Sequence, residues 1–333
     1  MPRPFPVGQF YQPRRPVGIR RPAPQPLNWR YPRKDMTIAA ALSYEGGALL
    51  CSDTQYEEGA SKTHGPKIGH FVCPGGRIGF AMAGNAAFAT SAIQKASKRV
   101  RKAKPEHVLE ELEDGLEAEY RRVVLAHPDH KSDWTLPYWF IISYWSASEN
   151  KTWLFATQET TLRALHAGYE CIGIGKDLAT YLLAPSFVTG IQSEADALII
   201  AAYMLARVKN SVSGCGGSSQ LLVMRNDGTF ELVDSFPLDR FAFNSGWYDF
   251  NARQLLIAAT HRDLTTEQFE HHINILAASA RHVRAAWQQD SDVKDKFIEH
   301  FRRKAEGLPN PTEGPQYPES TIGDLSHPPP LQG

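Results

Sequence analysis

"DMTIAAALSYEGGALLCSDTQ" occupies residues 35–55. Two short apolar runs flank a Gly-Gly pair, a threonine opens the first run, and a single acid, Asp53, closes the second. A chain that reverses near Gly46-Gly47 pairs residues whose numbers sum to about 92, so that Thr37 falls opposite a residue near 55. Asp53 is then a diagonal neighbour of Thr37, roughly 7 Å away and within reach of a polar cluster. The same residues also fit an ordinary edge hairpin with a solvated aspartate, and this stretch alone leaves both readings open.

The bulk properties narrow the classes. A chain of 333 residues suffices for one large or two modest cores. Its 36 basic and 36 acidic residues cancel, so the overall charge gives no reason to expect a nucleic-acid or anionic-membrane partner. Cys51, Cys73, Cys171 and Cys215 are scattered without a CxxC pair, a usage that fits a reducing compartment. The longest apolar helix candidate, "ALIIAAYMLARV" (197–208), is too short to span a bilayer. The N-terminus has no apolar core of the secretory kind. The expectation is a soluble cytoplasmic protein.

Composition divides the chain. Residues 1–35 hold nine prolines, eight Lys or Arg and one acid, Asp35. Such a segment cannot bury enough apolar area to offset chain entropy, so disorder is expected for 1–36, as a removable leader or as an extension upstream of a true start at Met36. A second Pro-rich tail, 307–333, is read the same way. Between them, strand patterns cover 37–44, 48–53, 67–73 and 77–83. A helix pattern with a basic outer face follows over 84–103, and Pro105 opens another in which Val108, Leu112, Leu116, Tyr120 and Val123 share a face. Strands resume at 138–145, 151–157 and 169–175, then helices at 177–184 and 193–209, then a hairpin turning at Asn226-Asp227-Gly228. Grouped rather than alternating helices predict α+β layers, not a doubly wound parallel sheet. Beyond 236 a helical extension is predicted to about 306, with a Thr265-to-Gln268 capping box and a third helix over 290–305.

Several segments together resemble the proteasome β-subunit and the bacterial HslV peptidase, members of the N-terminal-nucleophile (Ntn) hydrolases. "MTIAAALSYEGGALLCSDTQ" is similar to that family's opening hairpin, "GPKIGHF" to the next strand with its lysine, and "IGFAMAGNAAFA" to the strand entering the first helix. "CIGIGKDLATYLL" resembles the Gly-x-Gly strand-to-helix junction, and "SEADALIIAAYMLARVKNSVSGCGG" the later helix with its Ser-Gly loop. The resemblance covers residues 37–235 and implies a four-layer αββα sandwich, with the helical stretch 236–306 appended.

Carried over residue by residue, the resemblance makes Thr37 the nucleophile, Asp53 and Lys67 its charged neighbours, Gly84 an oxyanion N–H donor, and Ser213 a holder of the terminal amine. The chemistry behind that set is general. A threonine hydroxyl needs a base, and an N-terminal threonine carries one, because a free α-amine titrates near 7.7–8.0, roughly working pH. A cation at Lys67 lowers that amine's pKa further, and Asp53 orients the cation. The resemblance thus implies a threonine endopeptidase acting on peptides or unfolded proteins, self-assembled into rings, with an unfolding ATPase as a possible partner. It implies no cofactor or metal. The condition is strict: Thr37 must be the first residue, exposed either by removal of Met36 or by cleavage of a longer leader. Two positions depart from the proteasome pattern, which has an aspartate at Asn210 and a serine at Lys176. An inactive ring or scaffold subunit and a non-peptidase Ntn amidohydrolase are the alternatives.

Other motifs read blandly. "HPDHKSD" offers His127, Asp129, His130 and Asp133, but it contains proline after a helix and fits a solvated loop better than a metal site. His271 and His272 are adjacent on a helix and cannot face one site together. "GIGKD" and "GCGGSS" complete no phosphate-binding pattern.

Overall fold

A computed structural model describes residues 37–305 apart from 59–60, 127–137, 159, 190, 192, 234 and 262. The expected leader, the HPDHKSD segment and the Pro-rich tail lie outside the described residues.

The elements run in the order β1 (Ile38–Tyr44), β2 (Gly47–Asp53), β3 (Gln55–Glu58), β4 (Ser61–His64), β5 (Ile68–Cys73), β6 (Gly76–Gly84), α1 (Ala86–Val100), α2 (Val108–Glu119), β7 (Tyr138–Ser146), β8 (Lys151–Gln158), β9 (Thr161–Ala164), β10 (Tyr169–Gly173), α3 (Lys176–Thr189), α4 (Glu194–Ser211), β11 (Ser219–Arg225), β12 (Phe230–Val233), α5 (Ser235–Thr260) and α6 (Thr266–Ala305). One five-stranded sheet has the order β10-β1-β2-β11-β12 and the other β5-β6-β7-β8-β9, with β3-β4 as a separate hairpin. Every strand pair in them is antiparallel.

The strand period of two sorts side chains into layers. In β1, Ala39 and Ala41 face the second sheet, where Ala81 and Ile141 meet them together with Leu50 and Leu222 of their own sheet. Ile38, Ala40 and Leu42 point the other way, onto Ala197, Ala201, Met204 and Leu205 of α4. A strand covered on both faces has no solvent side, which is why "IAAAL" reads as one unbroken apolar run. On the second sheet's outer face, Ile78, Phe140 and Ile142 pack against Ala92, Ala96, Leu112 and Leu116 of α1 and α2. The result is the four-layer αββα sandwich expected from the sequence, with α5 and α6 following it.

Capping sets the helix starts. Asn85 accepts from the Ala87 and Phe88 amides at 3.1 and 3.2 Å, and begins α1 two residues later than the apolar pattern suggested. Ser193 and Asp196 form a reciprocal capping box on α4. Pro105 opens a short 3₁₀ turn that leads into α2, and α2 ends in a π-helical turn over Tyr120–Leu125.

Three expectations need correction. Hairpin β1-β2 turns at Glu45-Gly46, because Tyr44 pairs with Gly47, and Ala39 opposes Ser52. Gly47 is required for a different reason: a Cβ there would stand 2.1 Å from the Met224 carbonyl on the neighbouring strand. The separate helix expected over 290–305 is the end of α6, which runs unbroken from Thr266 to Ala305. Strands β3, β4 and β9 were not anticipated; each has four residues, too short for a periodic signal.

Candidate active site

Thr37 immediately precedes β1, and its backbone is fixed by the junction after β10. Its carbonyl accepts the Gly175 amide at 3.2 Å. Gly173 has φ +93°, and a Cβ on it would lie 2.4 Å from the Thr37 carbonyl oxygen. The glycines of "GIG" therefore admit the threonine's main chain, a requirement of close approach and positive φ together.

Asp53, the last residue of β2, lies where the hairpin returns to Thr37. One carboxylate oxygen, Oδ1, accepts the Thr37 hydroxyl at 2.6 Å, the Ile38 amide at 3.2 Å and the Lys67 ammonium at 2.6 Å. The other, Oδ2, accepts the Gly216 amide at 2.8 Å. Both oxygens are thereby occupied by donors, two of them backbone amides that cannot swing away.

Lys67, directly before β5, is fully buried. Its amide donates to Gln220 Oε1 at 2.8 Å and its carbonyl accepts from Met82 at 2.9 Å, which pins the backbone on both sides. The ammonium donates to Thr37 Oγ1, Asp53 Oδ1 and the Gln55 carbonyl, using all three of its protons. The Tyr56 ring lies 4.7 Å from Nζ, a cation–π distance, and the Tyr56 hydroxyl is anchored on the Pro66 carbonyl at 3.0 Å. Burial lowers the Lys67 pKa from its ordinary value, and the Asp53 charge opposes that shift.

Thr37 Oγ1 thus donates to a carboxylate and accepts from an ammonium, with all three residues at 0–1 % exposure. Such an arrangement holds a hydroxyl in one rotamer beside a fixed positive charge.

The other expected site residues stand differently. Gly84 ends β6 with φ +99°, next to the Asn85 cap. Ser213 is exposed in the turn after α4, and among the described residues no hydrogen bond joins it to Thr37 or Asp53. The contact with Asp53 from that turn comes from Gly216 instead. Asn210 and Lys176 are both exposed. Gln55, Tyr56, Gly216 and Gln220 were missed by sequence reasoning. Gln55 and Gly216 act through main-chain atoms, which leave no signature, and only the Gly-rich "GCGG" hinted at backbone approach. Cys215, beside Gly216, is buried and outside any disulfide, as are Cys51, Cys73 and Cys171. Among the described residues no cluster of His, Cys, Asp or Glu is placed to hold a metal ion.

The chain matches no protein-family model and no curated protein. Solved structures do match its fold. Anbu from Hyphomicrobium sp. strain MC1 aligns with a TM-score of 0.55 at 15% identity, over 68% of this chain and 100% of that one. Anbu, described as an ancestral beta-subunit, from Yersinia bercovieri gives 0.55 at 14%, over 69% and 100%. The helical assembly of the Anbu complex from Pseudomonas aeruginosa gives 0.53 at 16%, over 65% and 96%. These neighbours correct the family suggested by the sequence segments. Anbu proteins share the proteasome-like Ntn fold but form a family distinct from the HslV peptidases, so the resemblance holds for the fold and does not make this chain HslV-like.

Proposed function

We propose that this chain is a self-assembling subunit of proteasome-like fold whose Thr37 hydroxyl, once Thr37 is the first residue, cleaves amide bonds in peptides or unfolded polypeptides. The observation that carries this reading is the placement of Thr37 Oγ1 between the Asp53 carboxylate and the Lys67 ammonium.

In the proposed reaction the free α-amine takes the Thr37 hydroxyl proton and Oγ1 attacks the substrate carbonyl carbon. Lys67 holds that amine neutral by its fixed charge, and Asp53 holds Lys67. The negative oxygen of the tetrahedral intermediate meets the Gly84 amide, a type of contact typically worth roughly 3–4 kcal/mol of barrier. The C–N bond breaks as the amine's proton passes to the leaving group, which leaves an ester on Oγ1. Water, deprotonated by the same amine, then hydrolyses the ester and restores the threonine. Ser213 is assigned to steady the liberated amine, and the peptide partner lies along the β6 end near Gly84.

Asn210 favours one competing reading, an inert subunit of the same fold, because an amide cannot balance the charge that an aspartate would there. Hydrolysis separates the two. A chain prepared to begin at Thr37 is expected to cleave unstructured fluorogenic peptides, whereas the Thr37→Ala variant and a chain retaining Met36 do not. Equal inactivity of all three, with folding intact, refutes the peptidase and leaves the inert subunit.

A further inference from the structure

Helix α5 buries one face against α4 and α6 through Phe241, Asn244, Ser245 and Ala258. Its opposite face carries Phe243, Trp247, Phe250 and Ile257, exposed by 72, 58, 53 and 57 %. With Gln254 these positions follow one another at alternating intervals of four and three residues, the seam spacing of a helix that packs lengthwise against another helix. Trp247 and Phe250 already touch edge to face, with ring centroids 6.3 Å apart. Together the four side chains leave on the order of 500 Å² of apolar surface in water, at the upper end of what a monomer tolerates and most of one side of a small specific interface.

Two further features select the occupant. Gly246 sits beside this seam in the interior of a helix, where glycine is unfavourable, yet a Cβ there would meet nothing within 4 Å. Nothing in this chain's own fold asks for glycine at that position, and the missing side chain leaves room there for another backbone to approach. The seam is also self-complementary. When two copies of α5 cross antiparallel about Phe250, residues on the same flank and about equally far on either side of it face each other. Phe243 then meets Ile257, Trp247 meets Gln254 along one flank, and Gly246 meets Arg253, the charge that borders the seam, along the other. No like charges oppose each other in that register.

We infer that the exposed face of α5 is a two-fold, isologous interface with a second copy of this chain, centred on Phe250. The inference deepens the self-assembly part of the proposed function and is independent of the peptidase chemistry. Position 250 lies on the two-fold axis, so a cysteine there faces its own counterpart. All four native cysteines are buried, which leaves the introduced thiol as the accessible one.

The test is mild oxidation of the full chain carrying Phe250→Cys, with Leu256→Cys as the control, because Leu256 is 67 % exposed on a different flank of the helix. Phe250→Cys should give at least about tenfold more disulfide-linked two-chain species than the control. Adding Gly246→Leu or Trp247→Lys should suppress that product and weaken self-association in sedimentation by about tenfold or more, while circular dichroism keeps its helical signal. Equal cross-linking at both positions would mean random collision and would overturn the interface. Oligomers that persist without any cross-link at 250 would also overturn it, while leaving self-assembly through another face standing. A chain that is monomeric at every concentration would overturn both.

Discussion

At the scale of single residues, the unusual feature is an ion pair with no exposed surface, Lys67 and Asp53. Desolvating two charges is costly, and the pair is tolerated only because hydrogen bonds saturate both groups. Removing one partner strands the other, so Asp53→Ala should lower stability by about 3–5 kcal/mol in urea unfolding. The double variant Asp53→Leu with Lys67→Met should lose less than Asp53→Ala alone, and an equal or larger loss would show that water reaches the pair. That Thr37 and Asp53 lie near each other was legible from the sequence, because a hairpin fixes the distance between its ends, whereas Lys67 entered only through the family resemblance. The partners that complete the site were not legible. The Gln55 carbonyl, the Gly216 amide and the Tyr56 ring reach Lys67 or Asp53 only through the positions of the β3-β4 hairpin and the Val212–Gly217 turn, which tertiary packing sets.

At the scale of elements, the strand ends define the site more than any helix does. Gly173 closes β10 with a positive φ and its α-hydrogens against the Thr37 carbonyl, so Gly173→Ala forces that threonine to move. We expect the variant to fold less stably by about 1–3 kcal/mol and to lose activity even with Thr37 intact. Unchanged hydrolysis would show that Thr37 has freedom the packing does not suggest. Strands also hold the buried thiols. Burial pushes Cys73 in β5 up to about 11 and Cys171 in β10 up to about 12, from an ordinary 9.0. Above pH 9 the unfolded chain releases protons that the folded chain keeps, so the stability these groups contribute is complete below 9 and is lost as pH rises through 11 to 12. Chemical unfolding stability measured from pH 8 upward should therefore fall less steeply for Cys73→Ala and Cys171→Ala than for the parent, whatever offset the lost sulfur volume adds. Long strands with an apolar pattern and helices with caps could be read in advance. The four-residue strands could not, since two alternations do not define a period, and the break expected before residue 290 had no glycine or proline to enforce it.

At the scale of the whole molecule, the αββα layering brings the open end of the first hairpin, the start of β5 and the turn after α4 to one place, and the proposed nucleophilic role of Thr37 rests on that convergence. Among the described residues no helix is long and apolar enough to cross a membrane. The seam on α5 gives the same fold a route to association that leaves Thr37 untouched, so assembly and chemistry should separate cleanly: Thr37→Ala is expected to sediment as the parent does. The central claim is that an amine and a hydroxyl on one residue act together. It is tested most directly by an electrophile that closes a ring only on a paired 1-amino-2-hydroxy group. Mass spectrometry of a chain beginning at Thr37 should show one adduct per subunit, mapped to that residue and absent from Thr37→Ala. An unmodified chain, or an adduct that survives the substitution, would contradict the account.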